Sequence, residues 1–542
     1  MQIQKNISSP FTTQEELRAG LLSRIPENRR AQFFSPAPPG TLTAELHGLD
    51  EGALAAAKNR LQTAIEKQEK VLIFGDYDCD GVTATAVLWE TLAESGLTAR
   101  PFLPHRERHG YGLSVTALEE IFSEYQPDLV VTVDNGIVAH EAFAWLKEKG
   151  VDTILTDHHT SDGTVPPADI VVHSTQLAGV TVAWMLAHAL NPESAATKLD
   201  YAVLGTLADQ VPLYGANRSF ALHGLAALRN TQRRSLLALA EAAGTRLSEA
   251  TAETVHFLLA PRINAMGRLG DAMDALRALV SKQPERTHQL VKALQETNRS
   301  RQELTSDLYE EVISSLSGKH EQEHLVVVSG EFHEGIIGLL ASKIVDTTHK
   351  PAIVISTLGE TAKASVRSVP GVNIVEFLRD QAESVPYVAL GGHAMAAGFS
   401  IPLDTLETTQ RHLETAARAT ISPDLLVPSI EVIGALDWSL LRGETLLTLQ
   451  EFAPFGAGNE TPSFLLEDIE IRDYRPVGRD GSHWLLTLAD PRSGLPTKAI
   501  YFRAAEKITE PLHTYRHAVV ELSPSNYRGK DVDIVVRAVL AG

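Results

Sequence analysis

Three short apolar runs, at residues 71–74, 129–133 and 153–155, are each followed at once by carboxylates or imidazoles. The first leads into DYDCDG with Asp76, Asp78 and Asp80, the second into DNG with Asp134 and Asn135, and the third into TDHH with Asp157, His158 and His159. Helical patterns lie between them, at 82–94 before Gly96 and at 140–149 before Gly150. Strand–helix–strand alternation at this spacing predicts βαβ units and a parallel sheet. In such a sheet ligands sit beyond the carboxyl ends of the strands. The fold therefore delivers the acids and histidines to one edge. Asp209, at the end of the apolar run YAVLGTLAD, is a further candidate for that edge.

Asp76, Asp78, Asp80 and Gly81 match positions 1, 3, 5 and 6 of an EF-hand loop. Against that, Val87 stands where a bidentate glutamate is required, and the loop follows a strand rather than a helix. A solvated acidic turn is the plain alternative for this segment alone. With the other two segments, several negative groups share one edge and repel unless cations neutralise them. A mixed carboxylate–imidazole set suits Mn²⁺ or Mg²⁺ better than a thiolate-type zinc site. The single cysteine, Cys79, allows no intrachain disulfide and fits a reducing cytoplasm.

The net charge of −20 argues against binding a polyanion through bulk charge, though a local basic groove is compatible with it. A composition of 44% hydrophobic and 21% charged residues is that of a globular chain. The longest apolar stretch, 177–190, is short and interrupted by Thr181 and His188, so no membrane span is expected. The start, MQIQKNISSPF, has no apolar core of a secretory signal.

The 542 residues exceed one core. Residues 1–50 read as an extended N-terminal extension, 51–215 as the first α/β body, and 216–316 as a helical connector. In the connector Leu290, Leu294, Leu304, Leu308 and Val312 keep a helical period through a polar stretch. A helix there would run about 50 Å and bridge two bodies. Residues 317–421 read as a smaller α/β body. Residues 428–542 carry five or six short strands, which suggests a small barrel, OB-like among the options.

The ordered segments DYDCDG, VDNG, DHH and GTLAD resemble the four motifs of the DHH phosphoesterase superfamily. RSVPGVNI and GGHAMAAGFS resemble its associated nucleic-acid-binding domain, of DHHA1 type. HGYGLS, PRINAMGRLG and EFAPFGAGNETPSF are similar to signatures of one branch, the RecJ exonucleases. The resemblance runs from about residue 70 to the end. It implies a parallel-sheet DHH domain and a smaller α/β DHHA1-type domain joined by a long helix, plus a C-terminal OB-type barrel. It further implies a two-metal exonuclease, with Mn²⁺ or Mg²⁺, that degrades single-stranded DNA from the 5′ end to mononucleotides in recombination and repair. A single-strand-binding protein and a helicase are the partners to expect; oligomeric state is not legible.

Carried over by motif, Asp76, Asp78, Asp80, Asp134, His158 and Asp209 fall on metal-ligand positions, with Asp134 placed to bridge. Which of the first three aspartates bind directly stays open. Asp157 would orient the imidazoles, and His159 would face the scissile phosphate or leaving group. Arg367, Ser368, Gly391, Gly392 and His393 match positions that hold the nucleic-acid backbone. Arg262, Asn264 and Arg268 would line the groove between the bodies, and Tyr111 would stack on a base. The plain alternatives are salt bridging for the arginines, loop packing for Tyr111, and a tight strand–helix turn for GGHAMAAG. Tyr474, Trp484 and Tyr527 are barrel candidates, with core packing as the alternative for each.

Three departures stand out. Cys79 replaces a small apolar residue, and a soft thiol there would make the site sensitive to oxidation or zinc. His173 and Ser174 replace an Asn-Pro pair, shortening one wall of the cleft. His105 replaces an asparagine before Arg106. No Walker-type GxxxxGK[ST], GxSxG or Cys–His pair suggests nucleotide-driven motion or covalent catalysis. Two other functions fit part of the pattern: a phosphodiesterase for oligoribonucleotides or cyclic dinucleotides, and a non-catalytic replication subunit. The bridging signatures and barrel favour a polymer, and the occupied ligand positions favour catalysis.

Overall fold

The computed structural model describes residues 2–541 apart from 6, 8, 162, 317–322, 479–480, 495, 509 and 525–531. They form two compact units, one of Gly40–Asp209 and His223–Pro428, the other of Met1–Pro39, Gln210–Leu222 and Ser429–Gly542.

The first unit holds a five-stranded sheet of β1 (Val71–Gly75), β2 (Arg100–Phe102), β3 (Leu129–Val133), β4 (Asp152–Asp157) and β5 (Ile170–His173). The order is β2-β1-β3-β4-β5 and every pairing is parallel. All residues of β1 and β3 are buried, as expected for strands covered on both faces. Leu118, Ile121, Phe143 and Leu146 cover Leu72, Phe74 and Val130 on one face. Three helices, α1 (Cys79–Glu94), α2 (Gly179–Leu190) and α3 (Leu199–Ala208), pack together around the other. Val82, Ala84, Ala86 and Val87 give α1 small apolar side chains, all fully buried, so that it wedges among its neighbours.

The register sets the site. Gly75 pairs with Val133, and Val133 with Thr156. The next residues, Asp76, Asp134 and Asp157, therefore end their strands at one level. Strand order also changes direction at β1, between β2 and β3, which opens the crevice where α/β sheets bind ligands.

Helices α4 (Ala260–Leu269) and α5 (Pro284–Leu316) follow. The 33 residues of α5 span about 50 Å. Its first part packs on α4 and on helices Arg234–Ala242 and Ala272–Val280. Its last turns place Leu308, Tyr309, Val312 and Leu316 against Ile337, Leu340 and Ile344 of α6 (Glu334–Thr348). The polar helix thus bridges two bodies.

The second body is a sheet of β6 (Val326–Gly330), β7 (Ala352–Ser356), β8 (Thr361–Arg367), β9 (Ala389–His393) and β10 (Ala396–Pro402), in the order β9-β10-β8-β7-β6. Only β6 and β7 run parallel. GGHAMAAG is neither loop nor strand–helix turn but the β9–β10 hairpin, joined by Ala394 and Met395. Gly392 has φ 143°, and a Cβ there would meet the Ala396 carbonyl oxygen at 2.5 Å.

The second unit carries a six-stranded sheet in the order 464–466, 515–524, 532–541, 496–501, 483–489, 470–477. Its edge strands, Phe464–Leu466 and Glu470–Val477, are consecutive in the chain, so the sheet curls to bring its edges near each other, as in a partly open barrel. The expected extended lead-in is corrected. Thr13 and Glu16 form a capping box at the helix Gln14–Ser23. Leu17, Leu21, Ile25 and Phe33 join Phe464, Leu466, Leu486 and Val520 in one core. The run near 430, expected in the barrel, pairs instead as Ser429–Val432 with Gln2–Lys5. Arg218, fully buried, donates to the carbonyls of Phe33, Phe452, Ala453 and Pro454 and so ties all three stretches together. Tyr474 stacks on Trp484 with centroids 4.1 Å apart and remains 42% exposed. Tyr527 lies outside the described residues. Among the described residues no helix is long and apolar enough to cross a membrane.

Candidate metal centre and strand-binding surface

Each acid reaches the sheet edge for a local reason. Asp78 is the N-cap of α1, accepting from the amides of Asp80 (2.9 Å) and Gly81 (3.1 Å). Asp76 accepts from the Tyr77 amide at 2.7 Å. Asp80 faces the start of α2, accepting from the amides of Gly179 (2.7 Å) and Val180 (2.9 Å). Asp209 ends α3. Asp134 takes the left-handed conformation at φ 61°, uncommon for a residue with a Cβ and a mark of functional sites. Gly179 permits the approach of α2, because a Cβ there would lie 2.1 Å from Asp134 Oδ1. The side chain of Asn135 turns inward, donating to the carbonyls of Phe74 and Val133.

These residues converge. Asp76, Asp78 and Asp134 present ligand atoms within 4.8 Å of one another, as do Asp80, His158 and Asp209, and Asp134, His158 and His159. His158 Nε2 lies 3.2 Å from Asp134 Oδ1, 3.7 Å from Asp209 and 3.9 Å from Asp80. Asp134 Oδ1 and His158 Nε2 are both buried with no hydrogen-bond partner.

The charges do not balance among the residues themselves. Burial and then Asp78 push Asp76 and Asp80 up to about 7. Burial and its acidic neighbours push Asp209 up to about 9 and Asp134 well above the carboxylate range. Burial, with His159 beside it, brings His158 down to about 4, the neutral form that ligates metal. Two orphaned atoms, carboxylates that cannot all ionise unaided, and a neutral imidazole fit a centre for hard divalent cations.

Asp157 stands apart. It accepts from the amides of Ile137, His158 and His159, and from His159 Nδ1 at 2.8 Å. Despite its burial, the His159 hydrogen bond holds its carboxyl below the usual range. His159 in turn overcomes its own burial and is pushed up to about 9, by Asp157 first. Its Nε2 meets Tyr111 Oη at 3.0 Å, so Tyr111, 56% exposed, is tied to His159. The carbonyl of His159 accepts from His173 Nε2 at 2.7 Å, so His173 braces this wall of the cleft. His105 caps its own short helix through the Glu107 amide. Cys79 is buried, and burial first, then Asp78 and Asp80, raise its thiol well above the ordinary value, which disfavours the reactive thiolate.

The residues expected to hold a strand divide. Arg367, Ala396 and His393 pair across three adjacent strands, so Arg367 and His393 stand level, roughly 10 Å apart. Gly391, Gly392 and His393 are exposed. Arg268 donates to the Gly335 carbonyl and shares its surroundings with Arg106, Arg301 and Arg367. Three others are engaged within the fold. Ser368 is buried and donates to the Val372 carbonyl. Asn264 accepts from the Cys79 amide at 2.6 Å and so positions the acidic loop. Arg262 is buried and donates to Gln295 and to the Leu258 carbonyl. Motif matching missed Tyr77, whose ring lies under Arg106 with the guanidinium 4.3 Å from its centroid. Its only signal was its place inside DYDCDG.

Comparison with known proteins is consistent with this geometry. Residues 70–208 match the DHH family N-terminal domain, 322–419 the DHHA1 domain and 434–537 the RecJ OB domain. The single-stranded-DNA-specific exonuclease RecJ of Haemophilus influenzae is 31% identical over 490 residues, covering 84% of each chain. The chain belongs to the RecJ exonuclease family. The RecJ of Bacillus subtilis is 35% identical over 498 residues, but these span 90% of this chain and only 61% of that one. The crystal structure of RecJ from Thermus thermophilus in complex with Mn²⁺ aligns with a TM-score of 0.81 at 28% identity, over 100% of this chain and 79% of that one. The mixed α/β architecture, with its DHH, DHHA1 and OB parts, is thus that of RecJ proteins.

Proposed function

We propose that this chain is a metal-dependent exonuclease that hydrolyses single-stranded DNA from its 5′ end to mononucleotides, in recombination and repair. The observation that carries it is the pair of ligand sets, Asp76/Asp78/Asp134 and Asp80/His158/Asp209, with the orphaned Asp134 Oδ1 and His158 Nε2 3.2 Å apart between them. Relatives that are single-stranded-DNA-specific exonucleases, and solved RecJ complexes with Mn²⁺ and with Mg²⁺, support the same reading. Asp76, Asp78, Asp80, Asp134, His158 and Asp209 would hold such divalent cations, which when bound would supply an activated water and neutralise charge on the phosphate.

The remaining steps belong to the chain. Asp157 orients the His159 ring through Nδ1 and keeps it protonated near neutrality, so that the Nε2 proton is available to the leaving oxygen or to a phosphoryl oxygen that takes the place of the Tyr111 hydroxyl. Tyr111 fixes the other ring nitrogen and offers an exposed ring to a base. Arg106, Arg268 and Arg367 engage backbone phosphates, and the exposed Gly391–Gly392–His393 segment allows close approach. In the second unit, Tyr474 and Trp484 are stacking candidates. The single cysteine fits a reducing cytoplasm. A helicase that opens duplex and a protein that coats single strands are the partners this activity calls for.

The test is incubation with Mn²⁺ and end-labelled single strands of DNA and RNA. The expected result is mononucleotides from the 5′ end of DNA only, abolished by chelation. Release from the 3′ end, or equal hydrolysis of RNA, would overturn the polarity or the substrate.

A further inference from the structure

Helices α1 and α3 are joined at both ends. At the near end α1 presents Asp80 and α3 runs into Asp209, and with His158 the two form one ligand set. At the far end lie Glu90 of α1 and Asp200 in the first turn of α3. Helical rise puts Glu90 about 15 Å beyond Asp80, and Asp200 about 14 Å from Asp209. Near the metal centre the helices come close, since a Cβ on Gly205 would meet Asp80 Oδ1 at 2.4 Å and Thr83 Oγ1 at 2.6 Å. Burial of small apolar side chains holds such helices together. Being non-directional, it does little to fix where one lies along the other.

Arg233, from neither helix, joins the far ends. Its Nη1 donates to Glu90 Oε2 at 2.9 Å, its Nε to Asp200 Oδ2 at 3.1 Å, and its Nη2 to the Thr197 carbonyl at 3.2 Å. The guanidinium lies 4.2 Å from the centroid of the Tyr201 ring. Both acids are buried, Glu90 at 7% and Asp200 at 5% exposure. Asp200 also accepts from the Thr231 hydroxyl at 2.7 Å and from the Tyr201 amide at 2.9 Å. Burial raises both carboxyls above their ordinary values, and Arg233 is the foremost charge opposing it. Lys198 adds a tie to Glu94 at 2.8 Å, but Glu94 is half exposed. A planar guanidinium holds two carboxylates in set directions, and register is what a buried ion pair contributes best.

We propose that Arg233 is a positioning residue for the metal centre: by clamping Glu90 to Asp200 it fixes α3 along α1 and so sets Asp209 level with Asp80. Helix α1 follows directly on β1 and is capped by Asp78, so α3 is the element free to slip. A slip of α3 would draw Asp209 away from Asp80 and His158. It would leave the set Asp76, Asp78 and Asp134 in place, because none of these lies on α3. The proposal rests on the metal-dependent nuclease reading and deepens it.

The experiment titrates Mn²⁺ into the full chain without DNA and reads free Mn²⁺ by electron paramagnetic resonance. It compares wild type, Arg233→Met, Arg233→Lys and Arg218→Met. Wild type should bind Mn²⁺ in both ligand sets. Arg233→Met should hold one ion about tenfold more weakly and the other unchanged, the loss expected when a group that orients ligands is removed. Arg233→Lys, a point charge without the planar fork, should fall between. Arg218→Met destabilises the second unit and should keep the wild-type Mn²⁺ affinity. On single-stranded DNA, the Mn²⁺ concentration for half-maximal hydrolysis should rise about tenfold in Arg233→Met, with the rate at saturating Mn²⁺ within about threefold of wild type. A purely structural loss would lower the rate at every Mn²⁺ concentration and leave the midpoint where it was. If Arg233→Met does not fold, Arg233→Lys decides the question. Wild-type Mn²⁺ affinity and midpoint in Arg233→Lys, or an equal shift in Arg218→Met, would overturn the positioning role. Wild type that binds no Mn²⁺ would overturn the metal-centre reading and this proposal with it.

Discussion

The acidic edge of the parallel sheet and the C-terminal unit are built on opposite plans. The edge comes from one continuous stretch, Asp76 to Asp209, in which each strand delivers its acid directly. The C-terminal unit is assembled from three stretches of the chain, far apart in sequence, around Arg218 and the core of Leu17, Leu21, Phe33 and Phe464. The first holds chemistry at its surface and tolerates strain, such as the left-handed Asp134. The second spends the buried Arg218 on four carbonyls and on the face of the Phe33 ring. A local plan concentrates function, whereas a discontinuous plan makes a unit that cannot be cut off at one bond.

The largest effect expected is from Asp134→Ala, which removes the residue shared by two of the ligand sets that share no other member. Hydrolysis should fall by several orders of magnitude, while a circular dichroism melt changes little. Full activity would remove Asp134 from the centre.

Truncation near residue 424 addresses the other plan. The barrel would be separable if it were a simple C-terminal module. Instead its removal strips the partners from Phe11, Leu17, Leu21, Ile25 and Phe33, each contributing roughly 1.5–3 kcal/mol by burial. The shortened chain should express poorly and be nicked within its first 39 residues by protease. A soluble, protease-resistant truncation with normal turnover on short strands would show the barrel to be separable after all.

Asp157→Asn tests the proton at His159. Asp157 is the main force raising His159 to about 9, so its neutralisation lets that value fall toward the ordinary 6.5. The protonated fraction at pH 8 then drops. The alkaline limb of kcat/KM should move to lower pH by at least one unit, with a loss of about 10–100-fold at pH 8. An unchanged pH profile would remove His159 as the titrating group.

Arg218→Met should cost about 3 kcal/mol or more by leaving four carbonyls without a donor, read as a lower melting temperature. Turnover on short strands at low temperature should stay near wild type. The smallest effect expected is from Cys79→Ala, a buried thiol whose thiolate is disfavoured: turnover within twofold and unchanged resistance to peroxide, scored by activity after exposure. A gain in peroxide resistance would restore the thiol as a sensitive point.

Much of the edge was legible because its signal is local. A parallel strand buried on both faces must be an apolar run, and whatever follows it must stand at the sheet edge. Asp76, Asp134 and Asp157 were therefore placed by their sequence neighbours alone. The polar period of the bridging helix was legible for the same reason. Sequence did not determine which neighbours the polar groups would spend themselves on. Asn264, Arg262 and Ser368 looked like strand contacts, yet bond to the Cys79 amide, Gln295 and the Val372 carbonyl. These partners are remote in sequence or depend on side-chain direction. Tertiary structure alone also decided that the first 39 residues complete the C-terminal core, since an amphipathic helix records that it has an apolar face but not what covers it.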